Sequence, residues 1–258
     1  MIPMERQCMS LIKLSVIVPT WNNPDQLTQM VNSLTRIGFF DIGDRELIIV
    51  NNGKQPVSKD FAHILAKRTM QVVNCEDNRG WEGGLIEGLK VSSAEFVCFQ
   101  NDDVHIPQAH INFYENLMAP FEAGNVGMVA PTTTCSAGIQ SIYHMGTPTT
   151  LTEVRWVIGL CVMMERKTLE LVGGVDESLP GGDDFDLSIR MRKHEKKLYV
   201  NPNAFLIHHG FSTGTRVKGD HTQEGGWNSR SMMERTNHAL IVKHGFKMFH
   251  ETLSYQVV

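Results

Sequence analysis

Three clusters of polar residues have the types and spacing to do chemistry. The first closes the stretch Phe96–Val104, FVCFQNDDV, in which an apolar run stops at Asn101, Asp102 and Asp103. Carboxylates at a strand end project from a rigid scaffold. Hard oxygen ligands of this kind suit Mg²⁺ or Mn²⁺ and can hold the cation against a diphosphate. The second cluster, Gly182-Asp183-Asp184-Phe185-Asp186, lies about eighty residues further on. A carboxylate there, beside an acceptor hydroxyl, can act as a general base. The third is His208-His209 before Gly210, where a neutral imidazole can complete a metal shell begun by Asp103.

Each cluster also has a plainer reading. Asp102-Asp103 could be a turn with solvated carboxylates. The acids at 183, 184 and 186 could be helix capping, since the macrodipole favours negative charge in a first turn. Three acids in four residues exceed what one cap uses, so Asp184 is read as the base, with Asp183 or Asp186 positioning the acceptor. At the strand end Asp103 is the better metal ligand, Asp102 orients a ribose or a ligand water, and Asn101 accepts from a ribose hydroxyl. His208 is favoured over His209. A fourth segment, Asn78-Arg79-Gly80-Trp81-Glu82-Gly83-Gly84, opens a helix whose N–H groups suit a phosphate, with Arg79 adding charge. Its glycines serve close helix–sheet packing equally well.

These side chains need a scaffold, and the chain supplies strand and helix in alternation. Leu14–Pro19 and Glu46–Val50 are continuous apolar runs, as expected of strands buried on both faces. Asn23 reads as an N-cap with Pro24 at the first helical position, and Gly38 ends that helix. Further strands are expected at Met70–Asn74, Phe96–Gln100, Val126–Pro131, Trp156–Glu165, Leu198–Val200 and Ala204–His208. Helices are expected at Ser58–Met70, Gly80–Lys90, Pro107–Phe121 (with Ile111 inward), Lys167–Val172, Asp184–His194 and Ser229–His244. Thr132–Arg155 reads as a loop or short hairpin, and the Gly-rich Gly210–Gly226 as a lid. The pattern predicts an α/β fold with a Rossmann-like, mostly parallel sheet flanked by helices. Ligands bind beyond the carboxyl ends of such strands. Thr20-Trp21-Asn22, Asn51-Asn52-Gly53 and Asn101-Asp102-Asp103 should therefore line one crevice.

Composition narrows the partners. The 258 residues are 41% hydrophobic and 20% charged, with a net charge of −4, which gives no case for a nucleic-acid binder. Five cysteines without CxxC spacing favour neither a disulfide framework nor a zinc site, and point to a reducing cytoplasm. No apolar run approaches the roughly 20 residues that span a bilayer. The N-terminal stretch lacks the small-residue cleavage site of a signal peptide. Lys247, Met248 and Phe249 leave peripheral contact with a membrane surface open. No internal repeat or linker divides the chain, so residues 1–258 are read as one domain. Its parts are a nucleotide-binding half (14–131), an acceptor-side half (132–212), and a lid with a C-terminal helix (213–258).

Taken in order, VIVPTWNN (Val16–Asn23), ELIIVNNG (Glu46–Gly53), the Asn78–Gly84 segment, FQNDDV (Phe99–Val104), GGVDESLPGGDDFDLSIR (Gly173–Arg190) and IHHGFS (Ile207–Ser212) resemble the family two glycosyltransferases, the large inverting group with the GT-A fold. The resemblance spans roughly residues 14–212. It implies a nucleotide-diphosphate sugar donor, a Mn²⁺ or Mg²⁺ cofactor, and a glycan or glycolipid acceptor in surface glycan assembly at the inner face of a membrane. Carried over, Pro19, Thr20, Asn22 and Asn51 line the base pocket. Arg79 lies near base or phosphate, and Asn101 and Asp102 touch ribose or sugar. Asp103 binds metal with His208, and Asp184 is the base. Two acids usual in the family are Asn51 and Asn101 here. An amide carbonyl at Asn51 can still accept from uracil or thymine N3–H, which favours a UDP- or dTDP-sugar. The same two departures admit a catalytically degenerate nucleotide-sugar-binding protein as the alternative. A dinucleotide-binding oxidoreductase would need G-x-G-x-x-G after the first strand, where Pro19-Thr20-Trp21-Asn22-Asn23-Pro24 stands.

Overall fold

The computed structural model describes residues 12–55, 57, 69–210 and 230–258. The expected helix at Ser58–Met70 falls almost entirely outside these residues, as does the Gly-rich segment read as a lid. The first strands are the apolar runs of the sequence: β1 (Leu14–Thr20), β2 (Arg45–Asn51), β3 (Met70–Asn74) and β4 (Phe96–Gln100). They pair in parallel in the order β3-β2-β1-β4. Every residue of β1, β2 and β4 is buried, which is why these runs lack polar alternation.

Helices α1 (Pro24–Arg36) and α2 (Gly80–Val91) follow β1 and β3. Asn23 stands at the N-cap of α1. The glycines of α2 let it lie against the sheet. A Cβ on Gly88 would collide with the Ile17 side chain and meet Val50 Cγ2 at 3.2 Å. This supports the packing role for the glycines.

Beyond β4 the sheet departs from the mostly parallel expectation. The short strand β5 (Val104–His105), β7 (Thr152–Val154) and β8 (Cys161–Glu165) all pair antiparallel with their neighbours, while β6 (Val126–Thr133) and β9 (Lys197–His208) pair in parallel. The order continues β4-β8-β6-β9-β5, with β7 on β9. Strand β9 joins the two strands expected at Leu198–Val200 and Ala204–His208. Its Asn201-Pro202-Asn203 sequence, which reads as a turn, is absorbed by a register shift opposite Pro131 and Thr132.

Two further expectations fail locally. The span 107–121 is not one helix but two 3₁₀ turns around α3 (Phe113–Met118), and Ile111, expected inward, is 57% exposed. The strand expected from Trp156 begins only at Cys161. The backbone N–H groups of Val157, Ile158 and Gly159 donate instead to Ser188 Oγ, Gln140 Oε1 and Asp184 Oδ2, at 3.3, 2.6 and 3.3 Å. Side chains have replaced the strand partner. The remaining helices are α4 (Arg166–Leu171), α5 (Asp183–Lys193), α6 (Arg230–His244) and α7 (Phe246–Ser254). Apolar clusters fill both faces of the sheet. Among the described residues no helix is long and apolar enough to cross a membrane.

Candidate active site

The parallel register sets Thr20 level with Asn51, and β4 runs alongside β1. Three strand ends therefore share one rim. Thr20 Oγ1 donates to Asp102 Oδ2 at 2.6 Å, tying two of them together. Asn51 shapes the end of β2. Its Nδ2 donates to the Gln55 carbonyl and to Asn74 Oδ1, both at 3.0 Å, and its Oδ1 accepts from Gly53 N–H at 3.1 Å. Asn22 holds a left-handed backbone with φ 48°. Its Oδ1 accepts from Gln55 N–H at 3.4 Å, so the loops after β1 and β2 lock together.

Asp103 and His208 meet, although 105 positions separate them in the chain. The pairing of β5 with β9 sets Val104 opposite His208. His208 Nε2 then lies 3.2 Å from Asp103 Oδ1 and 3.5 Å from Asn101 Nδ2. The Nδ1 side of the ring faces the Cys135 carbonyl at 2.7 Å, which assigns that nitrogen as the N–H donor. Burial pulls the His208 pKa down, but the Asp103 carboxylate outweighs it and the net direction is up. His209 turns the other way, toward His105 Nδ1 at 3.1 Å.

The second acid cluster opens α5. Gly182, the N-cap, has φ 75°, and a Cβ there would sit 2.8 Å from Thr236 Cγ2 of α6. Asp184 accepts from Phe185 N–H at 2.8 Å and from Gly159 N–H at 3.3 Å. Burial, then the charge of Asp183, pushes the Asp184 carboxyl up to about 7. Burial also raises Asp183, against hydrogen bonds that include one from the Trp81 side chain. Glu82, on the first turn of α2, is pushed up to about 7 by burial and then by Asp183. Sequence reasoning singled out Arg79 in this segment and missed Trp81 and Glu82. The signal was their place in the turn after Gly80, where side chains face the acids opening α5.

The two acid clusters are joined by a short bridge. Asn101 N–H donates to the Leu160 carbonyl at 2.9 Å, and the adjacent Gly159 donates to Asp184. The proposed base is thus anchored, one residue removed, to the strand end that carries Asp103. Two other residues sit differently from expectation. Arg79 is spanned by carboxylates, with Glu177 at 3.0 Å and Glu87 at 3.3 Å. Asp186, read as an acceptor contact, is only 1% exposed. Its oxygens are taken by Arg190 and by Lys243 and His244 of α6, each at 2.7 Å. Burial pushes Asp186 up, but Lys243 and Arg190, with a hydrogen bond from His244, outweigh it and hold its carboxyl below the ordinary range. That correction makes Asp186 a clamp between helices, with no oxygen left for an acceptor.

The profile of glycosyl transferase family 2 matches residues 15–171. The chain belongs to glycosyl transferase family 2. The match ends before Asp183, so the second acid cluster and His208 lie beyond it. An uncharacterized protein of Mycobacterium tuberculosis is 25% identical over 248 residues, covering 87% of this chain and 84% of that protein. The pre-mycofactocin glycosyltransferase of the same organism is 24% identical over 216 residues, covering 76% of this chain and 42% of its own length. Among solved structures, the mannosyltransferase PcManGT from Pyrobaculum calidifontis, in complex with GDP-Man and Mn²⁺, superposes with a TM-score of 0.64 at 16% identity, over 89% of this chain and 64% of its own. The fold is that of the GT-A glycosyltransferases, and the chain is a glycosyltransferase.

Proposed function

We propose that this glycosyltransferase moves a sugar from a nucleotide diphosphate to an acceptor hydroxyl with inversion, in a divalent-cation-dependent reaction. The observation that carries the reading is the bridge from Asn101 through Leu160 and Gly159 to Asp184, which holds a base on the rim that bears Asp103.

Asp103 and His208 supply two donors of the type a divalent cation takes, and among the described residues no third His, Cys, Asp or Glu joins them. A carboxylate oxygen and an imidazole Nε2 stand 3.2 Å apart, and the Cys135 carbonyl accounts for the other ring nitrogen. Asp103 and His208 would hold Mn²⁺ or Mg²⁺, which when bound supplies positive charge to the departing diphosphate. The complex of PcManGT with GDP-Man and Mn²⁺ is consistent with such a donor and metal. Pro19, Thr20, Asn22 and Asn51 form the base side of the pocket, and an amide carbonyl at Asn51, able to accept from uracil or thymine N3–H, favours a UDP- or dTDP-sugar. Asn101 and Asp102 face the ribose or sugar, and Asp102 is already oriented by Thr20. A glycan or glycolipid is the acceptor class, met at the cytoplasmic face of a membrane.

In the reaction Asp184 takes the acceptor hydroxyl proton. The oxygen attacks the anomeric carbon as the bond to the diphosphate breaks on the opposite face. A carboxyl raised to about 7 is well matched to this task near neutral pH. Asp183 sits beside it and positions the acceptor. The variant Asp184→Asn should lose about 10²–10⁴-fold in transfer rate, the usual worth of general-base help. Donor affinity, measured by calorimetry with Mn²⁺, should be retained. Normal turnover in that variant removes Asp184 from the role.

A further inference from the structure

At the opposite end of β9 from His208, a cavity of about 350 Å³ opens between β7, β9, the end of α5 and α7. That volume is in the range of small-ligand sites. Strand β9 runs 12 residues from Lys197 at this cavity to His208. At about 3.3 Å per residue the two ends lie up to roughly 35 Å apart, so this is not the donor cleft.

Its lining is unusual for a surface hollow. Arg155, Arg192, Lys196 and Lys197 line it together with Glu153, Glu195 and Val258, and Glu251 lies near enough to act on Arg192. Only Lys197 is neutralised there, by Glu153 at 2.9 Å. Among the described residues neither arginine nor Lys196 forms an ion pair, and the Nε of Arg155 is buried without a hydrogen-bond partner. A buried cationic donor left unmatched is costly, and two guanidinium groups on one cavity repel each other. Burial and then the nearby Arg155 charge lower the pKa of Arg192, against the Glu251 carboxylate, which raises it.

The Arg192 side chain and the Arg155 backbone are also held in place. Arg192 Nη1 donates to Thr252 Oγ1 at 2.9 Å, and the Thr252 hydroxyl donates in turn to the Met248 carbonyl at 2.8 Å. The backbone N–H of Arg155 donates to the Gln256 carbonyl at 2.6 Å. Val154, Leu198 and Met248 give the cavity an apolar wall. The anchored Arg192 guanidinium, the unmatched Arg155 Nε, Lys196 and an apolar wall match a phosphate group carried on a carbon skeleton.

We propose that this cavity is a second binding site, taking a phosphate monoester through Arg155, Arg192 and Lys196. The phosphoryl group could belong to a soluble metabolite or to a lipid headgroup, and the test separates them. The full chain in chelator, free of divalent metal, is titrated with glycerol 3-phosphate by thermal shift and calorimetry. It is also spun with phosphatidylcholine vesicles with and without phosphatidic acid.

A saturable stabilisation by glycerol 3-phosphate is expected, kept in Asp103→Asn, where the donor cleft is altered. Arg155→Gln should weaken it by about 10- to 100-fold, the worth of a charge-assisted contact. Lys196→Gln, a partly exposed position, should weaken it by about tenfold with circular dichroism unchanged, which keeps the test decisive if Arg155→Gln does not fold. Co-sedimentation with phosphatidic acid alone, lost in Lys196→Gln, supports the site and assigns the lipid source. Three results would overturn it: equal affinity in Lys196→Gln, loss of binding in Asp103→Asn, or no saturable response to either probe.

Discussion

The chemistry of Asp184 is set by its immediate surroundings. Two backbone donors, Phe185 N–H and Gly159 N–H, favour its charged form, while burial and Asp183 oppose that form and prevail. With its pKa pushed up to about 7, the proposed base loses its proton around neutrality, so kcat/KM should rise with pH through about 7 and flatten above it. Glu82 has the same midpoint and Asp183 is raised beside it, so the profile reports the group rather than one carboxyl. Stability runs the other way. A carboxyl raised above its unfolded value of 3.8 contributes fully below that value, and the contribution is lost as pH climbs through about 7. Asp184→Asn should therefore melt at a higher temperature than the parent above about pH 7, with the gap closing toward pH 3.8. At this scale the placement of Asp103, Asp184 and His208 at or beside element ends was legible from residue type and pattern. The role of Asp186 was not legible, because Lys243 and His244 lie more than fifty positions away and only folding shows where they point.

Whole elements were legible where burial dictates composition. Strands β1, β2 and β4 are enclosed on both faces, so an unbroken apolar run could mean little else. Reading failed where a polar side chain stands in for a strand. Nothing in Val157-Ile158-Gly159 announces that Ser188, Gln140 and Asp184 will receive its N–H groups. Strand β9 failed for a related reason, since a bulge can swallow residues that look like a turn. Helix α2 yields a direct check. Gly88 leaves no room above Ile17, so Gly88→Ala should cost about 1–3 kcal/mol in denaturant unfolding, the usual penalty for overpacking.

Across the whole molecule, the Asp186 clamp connects the base-bearing helix to the C-terminal pair. Lys243 also reaches Asp176 at 2.5 Å, and Lys193 Nζ lies 3.1 Å from His244 Nδ1. Removing the shared carboxylate takes a common partner from Arg190, Lys243 and His244 at once. Asp186→Ala should lose about 3 kcal/mol, the lower end for breaking a buried pair, given that Lys243 is partly solvated. The acceptor KM of the folded fraction should stay unchanged, whereas an acceptor contact would raise it.

The clamp also imposes an order on biosynthesis. A ribosome delivers Asp186 and Arg190 well before positions 243 and 244, so the nascent chain lacks the partners that tie the two helices together until the last of these emerges. A polypeptide released short of them keeps that fault permanently, and a faulty interior is what cellular proteases are drawn to.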